Sequence, residues 1–463
     1  MAARVGADRS SSDAFLKVET HGIDAIPDGE RHGHPRELGF LWAGAFVNYA
    51  SLLTASLLTT YYGLGVWDGL LAVLIGSLSG AVILGLLSNT GPRTGQPQIV
   101  FTRRIFGTRG AYPGAVLTLF LGVGWFAVDT VIAALAGVQL LQVAGLGPEL
   151  ATRFLFPWVL VIAALSVVVA VYGHRTIKVF ETFGALTFAA LSVLVFALLA
   201  SQMHWTVGPS VSGADYPGAF VLGLMSCFAL VASWYPFASD YSRYLPATTS
   251  FRSVTLWPIV GVTLPMLLLG LFGLLLPTID PKLASAAGVL AVITRHAPAA
   301  VAVPFFAFVI LGEIWANYLD VYTAGLVIQT LGIRLKRWQT ALGAGILGAA
   351  IATVAVVVWD FHLFYEDFLI LTYLWAPAWA AVVLLSFFVF GRGQARPALL
   401  AWLLGTALSL IFVNYPNLFA TAFPNAHFPN QPLIDALHGA DISGAIAVLV
   451  AGGAYLALRK VMA

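Results

Sequence analysis

Apolar residues gather into twelve stretches, each long enough, or nearly so, to cross a bilayer as a helix, with short polar or Gly/Pro-containing breaks between them. The stretches run approximately over 38–61, 66–89, 112–145, 154–172, 177–201, 218–244, 253–277, 299–333, 338–358, 363–390, 396–413 and 440–458, and are called helices 1 to 12 below. Residues 1–37 break the pattern. They mix both charge signs with Gly and Pro, carry no apolar periodicity, and read as a mobile tail that docks, if at all, at its end. They also lack the apolar core of a cleaved signal peptide.

Polar residues that interrupt the apolar stretches carry the chemistry. In helix 3, GVGWFAVDT (Gly122 to Thr130) places Asp129 in the middle of a long apolar run, one helical turn from Trp125 and on the same face. A carboxyl at that depth either sits in a buried hydrogen-bond network or marks a substrate or ion path, and the second reading is preferred. In helix 8, LGEIWANYLDVYTAG sets Glu313, Asn317 and Asp320 at i, i+4 and i+7 on one face, which must look into the bundle; Glu313 lies nearest the outer end and is expected to reach water there. In helix 1, Ser51 and Thr54 read as packing hydroxyls. Asn48, a turn after Gly44 and Ala45, either marks a loosened helix facing a cavity or makes a plain interhelical hydrogen bond. In helix 6, Pro236 forces a kink near Ser233 to Tyr235, so Trp234 and Tyr235 either flank a cavity or pack on neighbours.

Helices 1 and 6, and helices 3 and 8, are each five apart. A five-helix repeat enters the membrane in opposite senses, so helices 1–5 (residues 38–201) and 6–10 (202–390) are expected to be inverted repeats, followed by helices 11 and 12 (391–463). That arrangement brings Asn48, Asp129, Trp234 and Asp320 to one interface near the midplane.

Composition narrows the class further. The 463 residues are 59% hydrophobic and 10% charged, with mean hydropathy +0.89, which leaves too little polar surface for a soluble fold. A net charge of +2 excludes a nucleic-acid partner, and the lone Cys227 excludes an intramolecular disulfide or a cysteine zinc site. No Ser/His pair at a common depth, HExxH or Walker A sequence is present, so neither an enzyme, a metal site nor a cofactor is expected. With the amino terminus inside, only Arg153, Lys282 and Arg295 of the 23 lysines and arginines fall outside, which predicts both termini in the cytoplasm. Asp215, Asp280, Asp360, Glu366, Asp367 and Asp435 then lie outside as ordinary loop acids.

Four segments, HGIDAIPDGER (His21 to Arg31), GQPQIVFTRRIFGTRGA (Gly95 to Ala111), GWFAVDT (Gly124 to Thr130) and ASDYSRYLP (Ala238 to Pro246), resemble the nucleobase:cation symporter family in its purine-cytosine permease branch. The resemblance implies an all-α polytopic membrane protein of the LeuT type, twelve helices arranged as 5+5 inverted repeats plus two. It further implies import of a flat nitrogen heterocycle (a purine, cytosine or pyrimidine vitamin precursor) across the cell membrane by cation symport with alternating access. In the family a Trp of helix 3 stacks on the ring and the residue four later bonds to it; these fall on Trp125 and Asp129. The helix 6 aromatic falls on Trp234 or Tyr235, the helix 8 amide on Asp320, with Asn317 beside it, and the helix 1 polar residue on Asn48.

Three departures matter. Helix 10 lacks the family's Asp-Tyr ending, and the positions of the helix 8 sodium hydroxyls are Ile314 and Trp315, which favours a proton over sodium. Two family amides are here Asp129 and Asp320, and an ionised carboxylate only accepts hydrogen bonds. These acids suit a substrate rich in N–H donors or carrying positive charge, such as an amine, amidine or guanidine, or else a proton relay with Glu313. The basic stretch 95–111 is read as an inside anchor and inner-gate element facing Asp240 rather than a lipid patch, with Arg243 close enough in sequence to satisfy Asp240 locally. A sensor, a channel and a membrane enzyme are the other classes weighed, all less favoured than a transporter.

Overall fold

The structure, a computed structural model, describes residues 22–172, 190–333, 335–357, 361–414 and 428–462. Residues 1–21 of the expected tail, Arg175, Lys178, Arg334 and Asp360 lie outside the described residues. Among those described, nine helices are long and apolar enough to cross a membrane, and a broken pair bent by 58°, Arg36–Phe46 and Tyr49–Thr60, supplies a tenth. Two shorter apolar helices, Leu155–Val168 and Ala190–Gln202, fall in the fourth and fifth expected stretches. The chain is a multi-pass membrane protein, and its outer faces expose Leu264, Ile346 and Leu449, as lipid contact requires.

Helix 1 is broken where the sequence loosens it. Asn48 is extended (φ −136°, ψ 171°); its side chain accepts from the Ser51 amide at 3.0 Å and donates to the Ala45 carbonyl at 3.0 Å, so it ends one half and caps the other. Helix 6 stops at Ala232, the residue whose carbonyl the Pro236 ring would strike, then passes through a tight turn at Tyr235–Phe237 into Ala238–Ser242. The proline kink expected at Ser233 to Tyr235 is therefore present.

Helices 3 (Tyr112–Val143) and 8 (Ala299–Thr330) pack along each other. Gly122 permits the approach, because a Cβ there would lie 3.3 Å from the Asp320 carbonyl oxygen. Helices 11 (Ala395–Ser409) and 12 (Ser443–Val461) pack on one another, and helix 12 also against helix 10.

The end of the tail is docked. Ile26 is buried and donates its amide to Gly95, while Arg31 reaches the carbonyls of Ile26 and Pro92 at 2.8 and 3.0 Å. Gly95 sits at φ +66°, and any Cβ there would meet the Arg31 guanidinium. Arg243, fully buried, donates to the Gly22 carbonyl at 2.9 Å and to the hydroxyls of Tyr244 and Tyr322. The basic stretch does meet Asp240, through the backbone amide of Gln98 at 2.8 Å.

Candidate functional site

The break in helix 1 leaves the first amides of Tyr49–Thr60 without intrahelical acceptors, and these form the positive end of that half-helix. Glu313 supplies the acceptor: its Oε1 takes the Tyr49 N–H at 2.6 Å. The expectation that Glu313 reaches water is therefore corrected. It is fully buried, because the break across from it, not its own height along helix 8, sets its surroundings.

The carboxyl of Asp129, 1% exposed, lies close enough to interact with both Glu313 and Asp320. Among the described residues, the charged groups acting on these three acids are one another, with no basic side chain. Both oxygens of Asp320, Oδ1 of Asp129 and Oε2 of Glu313 are buried and meet no N–H or hydroxyl donor among the described residues; the bonds open to them are protons shared between Asp129 and Asp320 or Glu313. Such atoms are expensive to leave unpaired, about 1–3 kcal/mol each and more for charged groups. Asn317 donates through Nδ2 to Thr130 Oγ1 at 3.1 Å and Ser166 Oγ at 3.2 Å, tying helix 8 to helices 3 and 4, and leaves its Oδ1 without a partner.

Aromatic rings bound this cluster. Trp125 stands edge-on to Phe368 (5.2 Å between centroids) and Tyr365 (6.3 Å), with its indole Nε1 buried and unpartnered. Tyr365 bonds to Thr54 at 2.7 Å and joins helix 10 to helix 1. In a second aromatic group Trp234 meets Trp42 at 5.6 Å, and Trp42 meets Tyr241 at 5.5 Å. The Tyr241 hydroxyl donates to the carbonyl of Leu319, the neighbour of Asp320.

Asp129, Glu313, Asp320, Asn317 and Trp125 thus share one buried region, with Asn48 at the helix break beside Glu313 and Trp234 in the adjoining aromatic group. Tyr235 is turned elsewhere: its hydroxyl bonds to Gly80 in helix 2 at 3.2 Å and its ring packs on Phe228, whereas Trp234 packs on Trp42 of helix 1. Sequence reasoning passed over Trp42, Tyr365 and Phe368. The last two are spaced i, i+3 on helix 10, a signal that was available.

The comparisons with known proteins agree with this architecture. The profile of the family described as permease for cytosine/purines, uracil, thiamine, allantoin matches residues 25–398. A provisionally assigned purine-cytosine permease of Bacillus subtilis is 25% identical over 472 residues, covering 96% of each chain. A purine-cytosine permease of Emericella nidulans is 25% identical over 396 residues, covering 82% of this chain and 75% of its own. Among solved structures, the nucleobase-cation-symport-1 transporter Mhp1, closed with bromovinylhydantoin bound, superposes with a TM-score of 0.71 at 16% identity, covering 95% of this chain and 96% of that one. The fold is therefore of the LeuT type, as the inverted-repeat reading anticipated. With the profile spanning most of its length, the chain belongs to the permease family for cytosine/purines, uracil, thiamine and allantoin.

Proposed function

We propose that the protein imports a nucleobase or a related nitrogen heterocycle by proton symport with alternating access. One observation carries the reading: Trp125 and the carboxyls of Asp129 and Asp320, which meet no basic group among the described residues, occupy one buried region at the packed faces of helices 3 and 8. Trp125 offers an aromatic face for a flat ring, and the helix 6 aromatic Trp234 closes the opposite side. Asp129, Asp320 and Asn317 Oδ1 receive the ring's N–H groups. Asn48 and Glu313 keep helix 1 open beside them.

The proton is favoured as coupling ion because Ile314 and Trp315 carry no hydroxyl for sodium, whereas Asp129, Asp320 and Glu313 form a cluster of acids that can hold a proton. The proposed setting is the plasma membrane with both termini cytoplasmic, and the two repeats are assigned to 38–201 and 202–390. The relatives are permeases for nucleobases and similar rings, so the small-cation alternative is not carried forward.

Uptake of labelled cytosine, adenine or hydroxymethylpyrimidine into cells carrying the protein tests this reading. Trp125→Ala should abolish it, and imposing a pH gradient rather than a sodium gradient should drive it. Uptake that is indifferent to Trp125→Ala sinks the site, and uptake that follows sodium alone sinks the proton.

A further inference from the structure

The buried polar atoms at this site are unbalanced. Among the described residues, those that meet no donor or acceptor outside the acid cluster are mostly acceptors: both oxygens of Asp320, Oδ1 of Asp129, Oε2 of Glu313 and Oδ1 of Asn317, while the unpartnered donors are the indole N–H groups of Trp125 and Trp42. Asp320 is the extreme case. It is fully buried and its polar neighbours among the described residues are the acids Asp129 and Glu313, whereas Glu313 and Asn317 on the same helix also bond to helix 1 and to helices 3 and 4.

We propose that Asp320 takes the edge of an amino-substituted ring, where an exocyclic N–H₂ stands beside a ring nitrogen, and that the coupling proton lies within this pair. The inference rests on the heterocycle reading above and names its substrate class. A carboxylic acid donates its O–H to the ring nitrogen and accepts from the amino group. Moving the proton from the carboxyl oxygen to the ring nitrogen leaves a carboxylate and a ring cation joined by the same two hydrogen bonds, one now reversed in direction. Either placement of the proton satisfies both oxygens of Asp320. A lactam edge, N–H beside C=O, sets its carbonyl oxygen against a carboxylate oxygen whenever Asp320 is ionised, and its nitrogen cannot share the proton.

Among the described residues, the titratable groups acting on Asp320 are Asp129 on helix 3 and Glu313 on helix 8, with Tyr365 of helix 10 beside those two acids and Tyr241 of helix 6 bonded to the Leu319 carbonyl, and none is basic. With no cation among these groups, the proton and the substrate's own N–H groups are what neutralise the acids. This makes the substrate part of the proton's binding site, so that each ligand tightens the other.

Calorimetric titration of the purified full chain in nanodiscs, at pH 6 and pH 8, with cytosine against uracil and adenine against hypoxanthine, tests the proposal. The amino compounds should bind at least about tenfold tighter than their oxo counterparts, the discrimination expected of one bidentate pair, and should weaken as pH rises. Asp320→Asn keeps a C=O and an N–H side by side and can still pair with the amino edge, so it should bind cytosine within a few fold of the unaltered protein while losing the pH dependence. Asp320→Ala should lose at least about tenfold for both amino compounds. Equal affinity for uracil and cytosine, or a pH dependence that survives in Asp320→Asn, overturns the assignment and leaves the heterocycle reading standing. If none of the four compounds binds the unaltered protein, both fall together.

Discussion

Two groups of buried charges can be set side by side in this protein. Where the tail docks, Arg243 is fully buried, and the chain brings acceptors to it: a tail carbonyl and two tyrosine hydroxyls, with Asp240 nearby holding the Gln98 amide. Within helices 3 and 8 Asp129 and Asp320 are buried as deeply, yet among the described residues the charged groups brought to them are each other and Glu313, all acids. A charge whose partners are built in serves architecture. A charge whose partners are missing is a place where something from outside completes the structure.

The sharpest way to break this contrast is to make both sites apolar. Asp320→Leu should eliminate uptake and raise thermal stability in detergent by about 1–3 kcal/mol, since it removes a buried acid whose polar neighbours are other acids. Arg243→Met should do the reverse in stability, lowering it by about 2–4 kcal/mol as the carbonyl and hydroxyl acceptors lose their donor. A stability loss in both, measured by the same melting curves, would show that the mid-membrane acids are structural after all.

Glu313 stands between the two cases, because it holds a backbone amide and also faces the acids. Glu313→Gln keeps an acceptor for Tyr49 and should fold normally. Glu313→Ala should destabilise by about 1–3 kcal/mol and increase hydrogen exchange at the start of the second half of helix 1. Exchange that is equal in the two variants would mean that the Tyr49 bond does not hold the break.

The smallest effect is expected at a half-buried counterpart. Asp280 caps the short helix Pro281–Ala287 through the Leu283 amide and faces His296, and these contacts hold its carboxyl below the usual aspartate value, the amide bond first and His296 second. A lowered value in the folded state means that this support is present above the ordinary aspartate range and lost as pH falls through the folded value. Hydrogen exchange in residues 281–296 should therefore rise modestly in acid, and Asp280→Asn should blunt that rise.

The periodicity of apolar residues marked the positions of the crossing helices, and single residues marked their faults. Pro236 located the end of helix 6 because its ring and missing amide leave the backbone no choice. Asp129 and Asp320 stood out because an acid has no ordinary reason to be at that depth. Other features depended on distant partners. Nothing local to Glu313 reports that the amide of Tyr49 will be exposed opposite it, and nothing in a run of charges and glycines reports that Arg243 will reach into the tail. Tyr235 and Trp234 are neighbours in sequence and look equivalent there; only the path of the chain through the turn sends one ring to helix 2 and the other to helix 1. The aromatic pair Tyr365 and Phe368 had the right spacing but flanked Glu366 and Asp367, acids that read as belonging to an outer loop rather than to the site.

The break in helix 1 has a kinetic consequence. Asn48 closes both ends of it from within its own segment and Glu313 holds it from helix 8, so the opening exists before any ligand arrives. Unwinding is done once, when the protein folds, and need not recur in each transport cycle. A substrate that binds at this opening therefore need not spend interaction energy on melting a helix.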